Sequence, residues 1–235
     1  MATIYLIRHG QASFGAEDYD KLSELGRRQA EITGHYLRDH DIRIDAAYSG
    51  TLSRQQETAQ LALASQPGEV PHHIDARFNE VNNDEHLEYL IPHVVKTQPQ
   101  VKALMDKGLS SSKDYQKVID AVFNYWVSPQ CDEPEIQSWA DYSGGVRSAL
   151  SDVMREQGGG KTVAIFTSGG TIATAVSQVL GLDGTHAYKF YEPVFNCSVT
   201  QLFYSGDKVS LSYFNDRSFL QLMGREMGEE LVSYR

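Results

Sequence analysis

A chain of 235 residues with 41% hydrophobic and 22% charged side chains suits one compact domain spanning residues 1–235, with a large core and room for an insertion. Its net charge of -10 argues against nucleic acid or an anionic membrane surface as the main partner, because the summed field repels polyanions. Cys131 and Cys197 are the only cysteines and fit neither a metal-ligand spacing nor a disulfide framework. Together with the lack of a signal-like N-terminus or a bilayer-length apolar run, this leads to the expectation of a cytoplasmic protein.

The apolar run Ile4-Tyr5-Leu6-Ile7 reads as a buried strand and stops at Arg8-His9-Gly10. A polar loop from Gln11 to Asp20 follows, then a helix through Leu22, Leu25, Ile32, Tyr36 and Leu37 with Ser23 as its N-cap. A short strand over Asp45 to Tyr48 turns at Ser49-Gly50-Thr51 into a helix through Leu52, Ala59, Leu61 and Leu63, which Pro67-Gly68 closes. His72-His73-Ile74-Asp75 is a further short strand, and such alternation of strand and helix indicates a largely parallel sheet.

From about residue 82 to 134 the pattern changes. Leu87, Leu90, Ile91, Val94, Val118, Val122, Phe123 and Trp126 recur at helical intervals without strong strand signals, so this stretch reads as a helical insertion with an exposed turn over Gly108 to Lys113. Trp139 to Glu156 is another helix, stopped by Gly158-Gly159-Gly160. Val163-Ala164-Ile165-Phe166 is a second buried strand, and Thr167-Ser168-Gly169-Gly170 leads from it into a helix through Ile172, Val176 and Val179. Val199–Tyr204 and Val209–Phe214, around Ser205-Gly206-Asp207, have the alternation of a terminal hairpin.

Two strands thus end in small polar segments, and in a parallel sheet both ends lie on the one edge where ligands bind. His9 there can be a nucleophile or a proton carrier, and Arg8 can hold an anion. Arg54, in the first turn of the helix after a third strand, can reach the same edge, although the helix dipole favours acids at that position. Glu80, in Arg77-Phe78-Asn79-Glu80, can serve as a general acid if burial or a neighbouring anion raises its pKa. Taken singly, Arg54 reads equally as a solvated residue and Glu80 as one acid among many.

The ordered set resembles the histidine phosphatase superfamily, which includes the cofactor-dependent phosphoglycerate mutases. The resemblance rests on Leu6-Ile7-Arg8-His9-Gly10-Gln11, Leu22-Ser23-Glu24-Leu25-Gly26, Ser49-Gly50-Thr51-Leu52-Ser53-Arg54 with Thr58-Ala59, and Phe78-Asn79-Glu80. Asn196-Cys197-Ser198-Val199-Thr200 and Phe214-Asn215-Asp216 are similar to the family's closing hairpin. It implies a phosphomonoester hydrolase acting on a small phosphorylated metabolite or a phosphoprotein, with no cofactor and no metal. His9 would form a phosphohistidine, with one ring nitrogen kept unprotonated by a backbone carbonyl on the other. Arg8 and Arg54 would neutralise the equatorial oxygens, and Glu80 would protonate the leaving alcohol and then activate water. Gly10, Gln11, Ser13, Ser168 and Gly169 complete the expected substrate-binding set.

Two positions depart from the family pattern. Members usually carry a second histidine in a Ser-His-Gly-Gly context, and this chain has Thr167-Ser168-Gly169-Gly170. Losing one preorganised donor can cost on the order of 10²–10³ in rate, so a slow enzyme or an inactive phosphate-binding protein is the alternative reading. The second is Gly15, near where mutase relatives place a phosphate-contacting asparagine, which passes that contact to Ser13 or the backbone. Mutase activity is disfavoured because Glu80-Val81-Asn82-Asn83-Asp84 lacks the aromatic and glycine pattern of mutases.

Other readings fail on spacing. A serine-hydrolase elbow at Ser168 needs small residues two before and two after, and Phe166 stands before it. Gly160-Lys161-Thr162 resembles the end of a P-loop, but Arg155 occupies the required glycine position and a strand follows instead of preceding it. His35, His40, His72, His73 and His186 read as surface or satisfied groups; His86 and His93, near the insertion, are candidates for substrate contact. Tyr89, Tyr125 and Trp126 read as core. The expected architecture is α/β, a three-layer α/β/α fold with a mainly parallel central sheet and a helical insertion over the carboxyl edge.

Overall fold

In the computed structural model, residues 1–13 and 20–234 are described, Ser112 by its backbone alone. The first apolar run extends to β1 (Ala2–Arg8). Ile4 and Leu6 point into one hydrophobic core and Tyr5 and Ile7 into another, as expected of a strand covered on both faces. The chain continues through α1 (Glu24–Asp39), β2 (Ala46–Ser49), α2 (Ser53–Leu63) and β3 (His72–Ile74). After β3 the chain leaves the sheet, because the Asp75 carboxylate caps a 3-10 turn over Ala76–Phe78, accepting from Arg77 N at 2.9 Å. Asp75 therefore belongs to the turn and not, as expected, to the strand.

Between β3 and β4 stand α3 (Asn83–Thr97), α4 (Pro99–Lys107), α5 (Ser112–Val127) and α6 (Trp139–Gln157). The turn expected over Gly108 to Lys113 is shorter, since Ser111 Oγ accepts from Asp114 N at 3.1 Å and starts α5 early. β4 (Thr162–Thr167), α7 (Gly169–Val179), the five-residue α8 (Ala187–Tyr191), β5 (Val199–Ser205) and β6 (Lys208–Asp216) follow. A final helix, α9 (Ser218–Met227), was not anticipated. It packs its apolar face on α1, with Phe219 stacked on Tyr36 at 4.3 Å between ring centroids.

The six strands lie in the order β3-β2-β4-β1-β5-β6. β3, β2, β4 and β1 are parallel, and β5 and β6 continue the sheet antiparallel to their neighbours. α1, α2 and α9 cover one face, while α3 through α8 cover the other. The registers Arg8 with Thr167, Ser49 with Phe166, and Ser49 with Ile74 bring the carboxyl ends of the four parallel strands to one edge. The pairing of Ile7 with Val199 brings the start of β5 to the same edge. No helix among the described residues is long and apolar enough to cross a membrane.

Candidate active site

The backbone at His9 is fastened on both sides. Its N–H donates to Thr167 O at 2.8 Å, and its carbonyl accepts from Asn196 Nδ2 at 3.2 Å and Cys197 N at 3.3 Å. The imidazole is 5% exposed. Nδ1 lies 2.7 Å from Gly10 O, which makes Nδ1 the protonated nitrogen, and Nε2 accepts from Arg54 Nε at 3.2 Å. Gly10 is required by its packing on α1: a Cβ there would stand 2.3 Å from Gly26 O. Burial, followed by the Arg54 and Arg8 charges, holds the imidazole well below the ordinary histidine range, against the opposing bond to Gly10 O.

Arg54 stands in the first turn of α2, where a cation opposes the helix dipole. Asp20 resolves the conflict from outside the helix, with Oδ1 2.6 Å from Arg54 Nη1 and Oδ2 accepting from Ser53 N at 2.7 Å. The carboxylate thus serves as cap and counter-ion together. Arg8 reaches from the end of β1 to Val194 O, and its Nη1 also donates to Tyr234 O at 2.9 Å.

Glu80 comes from the segment after the 3-10 turn. Its Oε1 accepts from Val81 N and Gly170 N, each at 2.9 Å. Gly170 permits this, since a Cβ there would lie 2.4 Å from that oxygen. Glu80 keeps part of its surface open, yet its carboxyl is enclosed enough that burial raises its pKa against the pull of Arg54, Arg8 and the two amides. Burial, and after it the Glu80 charge, raises the hydroxyl pKa values of Tyr142 and Tyr191.

The structure therefore gathers His9, Arg8, Arg54 and Glu80 at one edge with Ser168, Gly169 and Gly170 beside them. The remaining expected contacts are distributed differently. Gln11 directs its side-chain oxygen to Ser23 Oγ at 2.9 Å and its amide to Gln29 Oε1 at 2.9 Å, so it braces α1. Ser13 donates its amide to Lys21 O at 2.8 Å, and Gly15 lies outside the described residues. Ser168 is 0% exposed, and its Oγ accepts from Gln55 Nε2 at 2.8 Å. His86 is buried in the helical layer against Trp126, at 4.2 Å between ring centroids. His93 faces Glu133 at 3.5 Å and stacks on Tyr125.

Asp20, Gln55 and Tyr191 escaped sequence reasoning. Their contacts cross 34, 113 and 108 residues respectively, and no local pattern marks them. Among the described residues, no group of three or more His, Cys, Asp or Glu side chains is arranged to hold a metal ion. A cavity of about 720 Å³ is lined by residues of α5 and α8 together with Glu192 and Tyr234, and by none of the residues of the cluster.

Comparison with known proteins shows the family. The model of the histidine phosphatase superfamily (branch 1) matches residues 4–110 and 103–217, and the chain belongs to that family. It is 43% identical over 68 residues to the mitochondrial serine/threonine-protein phosphatase Pgam5 of Caenorhabditis briggsae, a match covering 29% of this chain and 24% of that protein. It is 37% identical over 87 residues to the 2,3-bisphosphoglycerate-dependent phosphoglycerate mutase of Staphylococcus haemolyticus, covering 34% of this chain and 38% of the mutase. The chain thus spans well under half of either relative. The fold is similar to that of a phosphoserine phosphatase from Entamoeba histolytica, with a TM-score of 0.66, 20% identity, and coverage of 94% and 100% of the two chains.

Proposed function

We propose that the protein is a phosphomonoesterase that works through a phosphohistidine on His9. The observation carrying this reading is the fixed tautomer: Gly10 O engages Nδ1, and the Nε2 lone pair faces Arg54. In the first step Nε2 attacks phosphorus in line, the ester P–O bond breaks, and the leaving oxygen takes its proton from Glu80. In the second, Glu80 as carboxylate takes a proton from water, the oxygen attacks phosphorus and the N–P bond breaks. Inorganic phosphate leaves, and both residues return to their starting states.

Arg8 and Arg54 neutralise the equatorial oxygens in both steps, and the Gly169 end of α7 supplies backbone N–H groups, whereas the Gly10 N–H, expected to bind substrate, donates to Thr58 Oγ1 at 3.0 Å. Ser168 supports that end from beneath. The substrate is a small phosphorylated metabolite or a phosphoprotein. Both cysteines are free thiols, in keeping with a cytoplasmic setting, and the chemistry as written calls for no metal or cofactor.

Turnover of p-nitrophenyl phosphate by wild type and His9→Ala, with acid-labile, alkali-stable phosphate trapped on the protein during turnover, tests the reading. Turnover lost with His9 is expected. Turnover that survives His9→Ala would overturn it, and wild-type protein that binds inorganic phosphate without turnover would establish the binding protein instead.

A further inference from the structure

Gln55 follows Arg54 in the first turn of α2, is fully buried, and carries its amide into the junction of three segments. Nε2 donates to Ser168 Oγ at 2.8 Å and to Phe78 O at 3.0 Å. Phe78 O also accepts from Thr167 Oγ1 at 2.6 Å. One side chain therefore joins the helix bearing Arg54, the segment leading to Glu80, and the turn into α7, whose Gly170 N holds Glu80 Oε1. Gln55 Oε1 is enclosed over Gly50, where a Cβ would come within 2.1 Å of it, and it has no hydrogen-bond partner among the described residues. A buried amide oxygen left in that state is costly, so the two bonds made by Nε2 and the packing of the side chain must outweigh that cost.

We propose that Gln55 is a positioning residue that occupies the seat beside position 168. There it makes serine, and not an imidazole, the side chain that fits, and it sets Ser168 and the Glu80 segment in register with Arg54. The space argument is direct. An imidazole on the Ser168 backbone extends past the present Oγ, and the Gln55 amide nitrogen lies 2.8 Å beyond that oxygen. Ser168 is fully buried, so other rotamers meet packed protein. With Oγ accepting from Gln55, its proton is left for a second acceptor. The effect on turnover rests on the phosphatase reading above, whereas the effect on stability rests on packing alone.

Four proteins test this: wild type, Gln55→Ala, Ser168→His and the double substitution Gln55→Ala/Ser168→His. Thermal midpoints and p-nitrophenyl phosphate kcat and KM are measured for each. Ser168→His alone is expected to lower the midpoint by roughly 5 °C or more through overpacking, or to fail to fold. Its kcat is expected to fall by about tenfold or more. The double substitution is expected to regain both, exceeding each single change, because the vacated amide volume admits the ring. A residue that merely filled space elsewhere would give losses that add. A double variant no more stable and no more active than Ser168→His would overturn the proposal, as would a Ser168→His protein equal to wild type. If wild type itself lacks turnover, the phosphatase reading fails while the midpoints still decide the seat.

Discussion

Arg54 Nε lies 3.2 Å from His9 Nε2, on the lone pair that an attack on phosphorus requires. On the phosphatase reading proposed above, a substrate draws the guanidinium from the ring to its own oxygens before the nitrogen becomes a nucleophile. On that reading, the charge that adds to burial in depressing the imidazole pKa then neutralises the phosphoryl group. This arrangement ties nucleophile release to the arrival of negative charge.

Replacing Arg54 with Met is expected to raise the His9 pKa, because a nearby positive charge that disfavours the imidazolium is lost while burial continues to hold it down. Ring-proton chemical shifts followed by NMR across pH measure the change. Turnover of p-nitrophenyl phosphate should drop by about 10²–10³. An unchanged His9 titration would show that the contact carries no electrostatic weight.

Asp20→Asn separates capping from charge. The amide oxygen can still accept from Ser53 N, so α2 should stay capped, but Arg54 loses its counter-ion. Inorganic phosphate is expected to bind several-fold more tightly at low salt, with the advantage fading as ionic strength rises. Isothermal titration at two salt concentrations reads this directly; weaker binding would mean that the carboxylate serves chiefly to aim Arg54.

The two perturbed groups set the pH profile. His9, depressed, is neutral down to well below 6.5, while Glu80, raised, stays protonated to above 4.5. kcat/KM for an alkyl phosphate should rise as His9 deprotonates and fall as Glu80 does. Glu80→Gln should remove the upper limb. It should slow alkyl phosphates by about 10²-fold and p-nitrophenyl phosphate much less, since nitrophenolate leaves without a proton. Equal losses on both esters would count against Glu80 as the acid.

His86 predicts acid sensitivity far from the chemistry. Burial lowers its pKa from 6.5 to about 4, so below 6.5 the unfolded chain takes up a proton that the folded one does not. Stability contributed by the neutral ring is complete above 6.5 and declines as pH falls, at up to about 1.4 kcal/mol per pH unit, levelling off below about 4. His86→Leu should flatten that slope in denaturant unfolding between pH 6.5 and 4.5. A parallel slope in the variant would place the sensitivity elsewhere.

Ile4 to Ile7 and Val163 to Phe166 were legible as strands because burial on both faces demands uninterrupted apolar residues. Ser23 was legible as a cap because capping is local, with its Oγ 3.0 Å from Gly26 N. α9 was not, although Phe219, Leu220 and Met223 have helical spacing. It begins at Arg217, which makes no side-chain cap bond, directly against the end of β6. Within the site, His9, Arg54 and Glu80 carried family motifs. Asp20 and Gln55 act only across the fold: one answers the dipole of a helix 33 residues on, the other reaches Ser168. Their chemistry exists only after the sheet has brought distant segments to one edge.

β1 is hydrogen-bonded to β4 on one side and β5 on the other, and His9 N–H prolongs that ladder to Thr167 O. Amide protons from Ile4 to His9 can therefore exchange with solvent only when the sheet itself comes apart. His9 thus stands on a strand held from both sides, so on the phosphatase reading the adjustment that admits an ester falls to side chains such as Arg54 and not to the backbone beneath them.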